Sequence, residues 1–285
     1  MLRPLNIACL QTHPKASISE AIEEAIPLAE AAAKAGAEFI FLPEYCGGLA
    51  SEGAALRPPV AKEKDHPMLR VFQAFAQNYQ VWVMLGSIAV TAPDAKILNR
   101  GYIIDSAGNV QSHYDKIHLF DVEISEQEVY RESAHVTPGA AVQVTPACGM
   151  QLGHTICYDL RFPKLFRDLA QAGAEAIAVP AAFVKNTGQA HWHVLNRARA
   201  IENGCFIIAP CAVGPIPGGG ESYGHSLIID PWGQVLADGG EDQGFIQATI
   251  DLSQARRVRS KIPSLTHDRA YSLQSAEMTE RYQDL

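Results

Sequence analysis

Residues 28–45, LAEAAAKAGAEFIFLPEY, and residues 165–182, LFRDLAQAGAEAIAVPAA, run in the same register. In each, a helix-forming stretch leads into the tetrad Ala-Gly-Ala-Glu, then a short apolar run, then a proline. Pro43 and Pro180 each stand five positions after the glutamate of the tetrad, so the apolar runs are of equal length. Runs of that length closed by proline read as buried strands. Ala-Gly-Ala-Glu is also ordinary helix-to-strand connector chemistry, which leaves a chance match open. Read as kinship, the echo predicts two α/β halves, each with helices on a sheet and the two sheets packed together. No Pro/Gly/Ser-rich linker separates them, so residues 1–285 read as one domain.

Working outward, helix-like and strand-like segments alternate. Residues 5–10 read as a buried strand, and Ser17 with Glu20 as a capping box that opens a helix running to Gly36, with Pro27 as a possible kink. Asp65 and Pro67 mark the start of a second helix to Tyr79, followed by a strand at 81–88. The turn Ser106-Ala107-Gly108-Asn109 makes a hairpin of 97–116. Strand, turn and helix follow over 151–172, then a strand at 176–180, a helix over 191–203 stopped by Gly204, and strands at 205–211, 225–230 and 244–250. Residues from about 252 to 285 are charged and without clear period, and read as a C-terminal arm.

Composition narrows the function. The 285 residues are 47% apolar and 19% charged, enough for a large core. Against 31 acidic residues stand 23 basic ones, a formal charge of -8, which argues against nucleic acid as a partner. No apolar run approaches the roughly 18–20 residues of a membrane helix, and the N-terminus lacks the features of a signal peptide. The expected setting is the cytoplasm. Six scattered cysteines without a CxxC pair suit reduced thiols better than a disulfide framework or a zinc site.

Three strand ends carry reactive groups: Glu44, Lys116 and Cys157. Carboxyl ends of strands border the ligand crevice in open α/β sheets, so these three could converge. Taken singly, Glu44 also fits a loop cap, Lys116 a solvated turn and Cys157 a buried thiol. Around Cys157, however, the strand 152–156 gives way to Tyr158-Asp159-Leu160-Arg161-Phe162-Pro163 and a helix, a sharp turn like a nucleophile elbow. A thiol with an ordinary pKa of about 8.5 needs a cation or a base to react at neutral pH. Lys116 could serve as the first and Glu44 as the second.

The segments Phe41-Leu42-Pro43-Glu44, Tyr114-Asp115-Lys116-Ile117-His118-Leu119 and Ile156-Cys157-Tyr158-Asp159-Leu160-Arg161-Phe162-Pro163 together resemble the signatures of the nitrilase superfamily of carbon–nitrogen hydrolases. Tyr130-Arg131-Glu132-Ser133 with Thr137-Pro138-Gly139 is similar to its second glutamate region, and Asp230-Pro231-Trp232-Gly233 to a late turn, so the likeness covers nearly the whole chain. The resemblance implies a four-layer αββα sandwich with internal pseudo-twofold symmetry, assembled as a homodimer or larger homo-oligomer. It implies Glu44 as general base and then acid, Lys116 as stabiliser of the tetrahedral intermediate, Cys157 as the thioester-forming nucleophile and Glu132 as a fourth member positioning substrate or lysine. The Tyr158 backbone N–H would complete an oxyanion hole. No metal or organic cofactor is implied, and the reaction gives acid and ammonia from a small linear amide.

Asp121-Val122-Glu123-Ile124, Thr187-Gly188 through His191-Trp192, Arg197–Glu202 and Tyr223-Gly224-His225-Ser226 resemble the Nit subgroup more than true nitrilases or carbamoylases. Two amidase activities belong to it, hydrolysis of deaminated glutathione and ω-amidase action on α-ketoglutaramate, and the segments favour the first. N-carbamoyl amidase, nitrilase and a non-enzymatic binding protein remain as alternatives. Both Nit substrates carry a carboxylate, for which Arg161 is the candidate clamp. Tyr45, Phe183, Thr187 and His191 are candidate pocket residues, with simple packing as the alternative. The glycine-rich stretch 214–220 lacks the lysine and hydroxyl of a phosphate loop and reads as a hairpin or pocket rim. His191 and His193, two apart on a helix, do not share a face for metal. The basic run 256–261 is expected to meet acidic surface on a partner subunit.

Overall fold

Both Ala-Gly-Ala-Glu stretches fold alike in the computed structural model, which describes residues 4–53, 55–125 and 128–272. Helices α1 (Ile18–Lys34) and α3 (Pro163–Gln171) each lead into a glycine with positive φ, Gly36 at +92° and Gly173 at +102°. The turns deliver Phe39–Phe41 and Ala176–Ala178 as buried strands, each parallel to its two neighbours. The tetrad glutamates do the same work in both halves. Glu38 Oε2 accepts from the Asn6 N–H at 3.1 Å, and Glu175 Oε2 from the Gln151 N–H at 3.3 Å, tying each turn to the start of the adjoining strand. A chance connector does not account for side-chain bonds repeated in register.

The kinship extends to whole sheets. One runs in the order Gly244–Ile250, Leu5–Gln11, Phe39–Phe41, Trp82–Thr91, Ile97–Ile104, Val110–Asp115; the other runs Val144–Ala147, Met150–His154, Ala176–Ala178, Phe206–Ala209, Leu227–Ile229, Val235–Asp238. Across each, the pairings are antiparallel, parallel, parallel, antiparallel, antiparallel.

The two-residue period of a strand then sorts the core into layers. Ile40 and Leu42 face α1 and α2 (Pro67–Tyr79), while Phe39 and Phe41 face the other sheet. Likewise Ile177 and Val179 face α3 and α4 (Lys185–Asn203), while Ala176 and Ala178 face inward. The result is the four-layer αββα sandwich. The sheets approach closely where side chains are absent: a β-carbon on Gly86 would lie 2.4 Å from Pro180 Cβ, and one on Gly101 2.3 Å from His154 Cε1. This close approach brings the loops after Phe39–Phe41 and Met150–His154 together.

Several boundaries differ from the sequence reading; the strands expected at 176–180, 205–211 and 225–230 are shorter, spanning Ala176–Ala178, Phe206–Ala209 and Leu227–Ile229, and three other differences follow from packing. Helix α4 begins at Lys185, six residues before the expected start, because Gly188 packs against the Tyr223 ring, a tertiary contact that overrides weak local propensity. The strand expected to end near 88 continues to Thr91 in its pairing with Ile97–Ile104. The expected arm opens with a packed helix, α5 (Ser253–Lys261), anchored by buried Leu252 and Ala255. Its basic run turns onto its own chain: Arg256 meets Glu175 at 3.0 Å and Arg257 meets Asp251 at 2.9 Å. Residues 273–285 of that arm lie outside the described residues. Among the described residues, no helix is long and apolar enough to cross a membrane.

Candidate active site

Each reactive residue is placed by a backbone feature one can trace. Glu44 follows the strand Phe39–Phe41 across Pro43 and is buried. Lys116 directly follows the strand Val110–Asp115, its N–H held by the Asn99 carbonyl at 3.0 Å. Cys157 begins a 3-10 turn, Cys157–Arg161, with φ +49° and its N–H donated to the Pro180 carbonyl at 2.9 Å. A non-glycine residue in that region carries conformational strain, which the surroundings must over-determine. Asp159 does much of this. It is fully buried and accepts from the Ile156 N–H at 2.8 Å, the Tyr114 hydroxyl at 2.7 Å and the His118 N–H at 3.1 Å, with His118 Nδ1 at 2.7 Å. One carboxylate therefore ties the cysteine turn to the lysine strand and to the residues that follow it.

The charged groups are in direct contact. Lys116 Nζ lies 2.9 Å from Glu44 Oε1 and 2.9 and 3.1 Å from the two oxygens of Glu132. The Asn99 amide donates to Glu44 at 2.9 Å, and the Ala182 N–H to the other Glu44 oxygen at 2.9 Å. Glu132 also accepts from the Phe120 N–H at 2.6 Å and the Tyr45 hydroxyl at 3.3 Å. Burial works against the lysine charge, but Glu132 and Glu44 outweigh it and hold the ammonium well above the usual lysine range. Burial pushes the Cys157 thiol well up; the Glu44 charge adds to the rise, Lys116 opposes it, and a hydrogen bond with Glu44 favours the protonated form. The lysine is already matched by two carboxylates, so it has little charge left to stabilise a resting thiolate.

A cavity of about 330 Å³ opens onto this cluster, within the usual range for small-molecule sites. Glu44, Lys116, Cys157, Tyr158, Phe183 and Thr187 line it, and the glycine-rich stretch supplies Gly219 and Gly220 to its rim. Ser51 bridges to that rim by donating to the Gly219 carbonyl at 2.7 Å.

Other expected pocket residues stand elsewhere. Tyr45 and Glu132 sit behind the lysine and border a second, smaller cavity of about 200 Å³. Tyr45 turns to Glu132 because its buried hydroxyl needs a partner. Arg161 lies over the Tyr158 and Phe183 rings at 6.0 and 5.5 Å and reaches His191 Nδ1 at 3.3 Å, outside the cavity lining.

Asn99, Asp159 and the N–H groups of Phe120 and Ala182 were not singled out from sequence. A lone Asn in an apolar strand was the available signal for Asn99; backbone donors leave none.

The carbon–nitrogen hydrolase family model matches residues 6–260. This chain belongs to the carbon–nitrogen hydrolase family. The hydrolase is 38% identical over 271 residues to deaminated glutathione amidase of Synechocystis sp., a match spanning 93% of this chain and 98% of that protein. The crystal structure of C. elegans NitFhit superimposes with a TM-score of 0.85 at 32% identity over 93% of this chain, which spans 65% of the worm protein's length. Saccharomyces cerevisiae Nit3, a member of branch 10 of the nitrilase superfamily, superimposes with a TM-score of 0.80 at 25% identity, covering 92% of this chain and 95% of the yeast one. The hydrolase thus shares the nitrilase-superfamily fold, and its activity is that of a carbon–nitrogen hydrolase.

Proposed function

We propose that this hydrolase opens the amide bond of deaminated glutathione through a thioester at Cys157. The observation that carries the reading is the single cavity bordered by Glu44, Lys116 and Cys157, with Glu44 held between the ammonium and the thiol. Because the thiol is held protonated, attack and deprotonation go together. As sulfur bonds to the amide carbon, Glu44 takes the thiol proton, and the carbonyl oxygen becomes an oxyanion held by the Lys116 ammonium and the Tyr158 N–H. Glu44 returns the proton to the amine as the C–N bond breaks. Water then adds to the thioester, giving a proton to Glu44, and the carbon–sulfur bond breaks to release acid and restore the thiol. Base catalysis of this kind contributes about 10²–10⁴-fold and each oxyanion donor about 10²–10³-fold. Glu132 acts as a positioning residue, since it grips the lysine and lies outside the cavity lining.

The choice of substrate rests on the Synechocystis relative's name and on the Nit-like segments. Deaminated glutathione and α-ketoglutaramate deliver the same acyl group to the sulfur and differ only in what leaves. The first releases the amine of a cysteinylglycine; only the second, a primary amide, releases the ammonia expected from the sequence. Arg161, which packs over the cavity-lining Tyr158 and Phe183 rings and contacts His191, is the assigned partner of the substrate carboxylate, and Phe183 and Thr187 of the substrate body. Purified protein should form α-ketoglutarate and free peptide amine from deaminated glutathione faster than ammonia from α-ketoglutaramate. Faster ammonia release would favour the ω-amidase alternative, and carbon dioxide release from N-carbamoyl compounds the carbamoylase branch.

The working unit is one hydrolase domain assembled as a homodimer or larger. Exposed Val194 and Ile201 on α4, with Trp232 in the turn beside Ile201, support self-association. Six free cysteines support a cytoplasmic setting.

A further inference from the structure

We propose that His193, His225 and Asp238 form a binding site for a divalent transition-metal ion outside the catalytic cavity. The three come from different elements: α4, the loop after the strand Glu221–Tyr223, and the end of the strand Val235–Asp238. Their ligand atoms all lie within 4.8 Å of one another. Asp238 Oδ2 is 2.9 Å from His193 Nε2, and Oδ1 is 2.8 Å from His225 Nδ1. None of the three lines the cavity around Cys157.

The groups are held in place and yet reachable. The Trp192 indole donates to the His225 carbonyl at 2.7 Å, the Gly240 N–H to Asp238 Oδ1 at 2.9 Å, and the His225 ring stacks on Tyr223 at 4.6 Å. His225 keeps a positive φ of +51°, a conformation that the surrounding contacts impose. The side chains are 20–34% exposed, which leaves an entry path.

Two imidazoles and one carboxylate suit Zn²⁺ or Co²⁺, and not the all-oxygen sets of Ca²⁺ or Mg²⁺. Ligands about 2.0–2.2 Å from a tetrahedral ion sit about 3.3 Å apart, so binding opens each hydrogen-bonded contact by about half an ångström and draws together the ligand atoms that now lie up to 4.8 Å apart. On binding, each imidazole carries its proton on the ring nitrogen that does not coordinate.

The full chain titrated with Co²⁺, and with Zn²⁺ by calorimetry, tests this. The expected result is one ion per chain, a visible cobalt spectrum without sulfur charge transfer, and a raised melting temperature. Binding should persist in Cys157→Ser and weaken at least about tenfold in both His225→Asn and His193→Gln. His193 is partly exposed on α4 and keeps an ordinary helical backbone, so its variant reads the site even where His225→Asn folds poorly. Absence of binding by the wild type, its loss in Cys157→Ser, or unchanged affinity in both histidine variants would overturn the proposal.

Discussion

The two edges of the sandwich are built alike and equipped differently. Ile7 pairs with Phe39 as Leu152 pairs with Ala176, so five residues further on Thr12 matches Cys157. The shared proline register matches Glu44 to Ala181. Tyr102 pairs with His113 as Leu227 pairs with Asp238, which three residues on matches Lys116 to Glu241. An acid, an amine and a thiol at one edge thus become alanine, glutamate and threonine at the other. The second edge is filled instead by Gln11, which donates to the Gly240 and Asp242 carbonyls at 2.9 and 2.7 Å and accepts from the Ser226 N–H at 2.7 Å. The scaffold supplies strand ends and loops twice; which side chains occupy them decides where a reaction can occur.

Disarming the first edge should do the most damage. Lys116→Met leaves Glu44 and Glu132 buried without their shared cation, so kcat should fall by about 10³-fold or more and stability by about 3–5 kcal/mol. Adding Glu132→Gln should recover part of the melting temperature and none of the turnover. Full activity in Lys116→Met would remove the lysine from the reaction.

A second contrast concerns acid. In register, His154 corresponds to Cys9, and both are buried. Burial holds the His154 imidazole down at about 4, against about 6.5 for the free group, whereas it pushes the Cys9 thiol, already neutral in acid, further up. Between those two values the unfolded chain binds a proton that the folded chain does not, so stability is complete above about pH 6.5 and lost as pH falls to about 4. The loss reaches about 3 kcal/mol. Urea melts of His154→Gln should show a shallower decline over that window than wild type, and an identical slope would refute the assignment.

The smallest effect belongs to the filled edge. Gln11→Leu removes three hydrogen bonds and should cost about 1–3 kcal/mol in denaturant melts, while kcat stays within about twofold of wild type. A large loss of turnover would mean that the two edges communicate.

Much of this was legible before folding. The echo of residues 28–45 in 165–182 carried the two-sheet architecture because it is local and periodic, and three short signatures named the residues that the fold gathers. What the sequence hid depends on pairing across long separations. Asn99 reaches Glu44 only because Ile97–Ile104 lies beside Trp82–Thr91, and the Ala182 N–H reaches it only because the two sheets abut. The early start of α4 depends on Tyr223, thirty-five residues from Gly188. His193 could be discounted from its own helix, since the partners that matter, His225 and Asp238, come from elsewhere in the chain.

Rapid quenching of the wild-type enzyme with deaminated glutathione, followed by peptide mass analysis, tests the thioester route most directly. The prediction is a transient mass gain equal to the α-ketoglutaryl group on the peptide containing Cys157, absent in Cys157→Ala, which should turn over no substrate. An adduct on Cys9, Cys46, Cys148, Cys205 or Cys211 instead, or undiminished hydrolysis by Cys157→Ala, would contradict it.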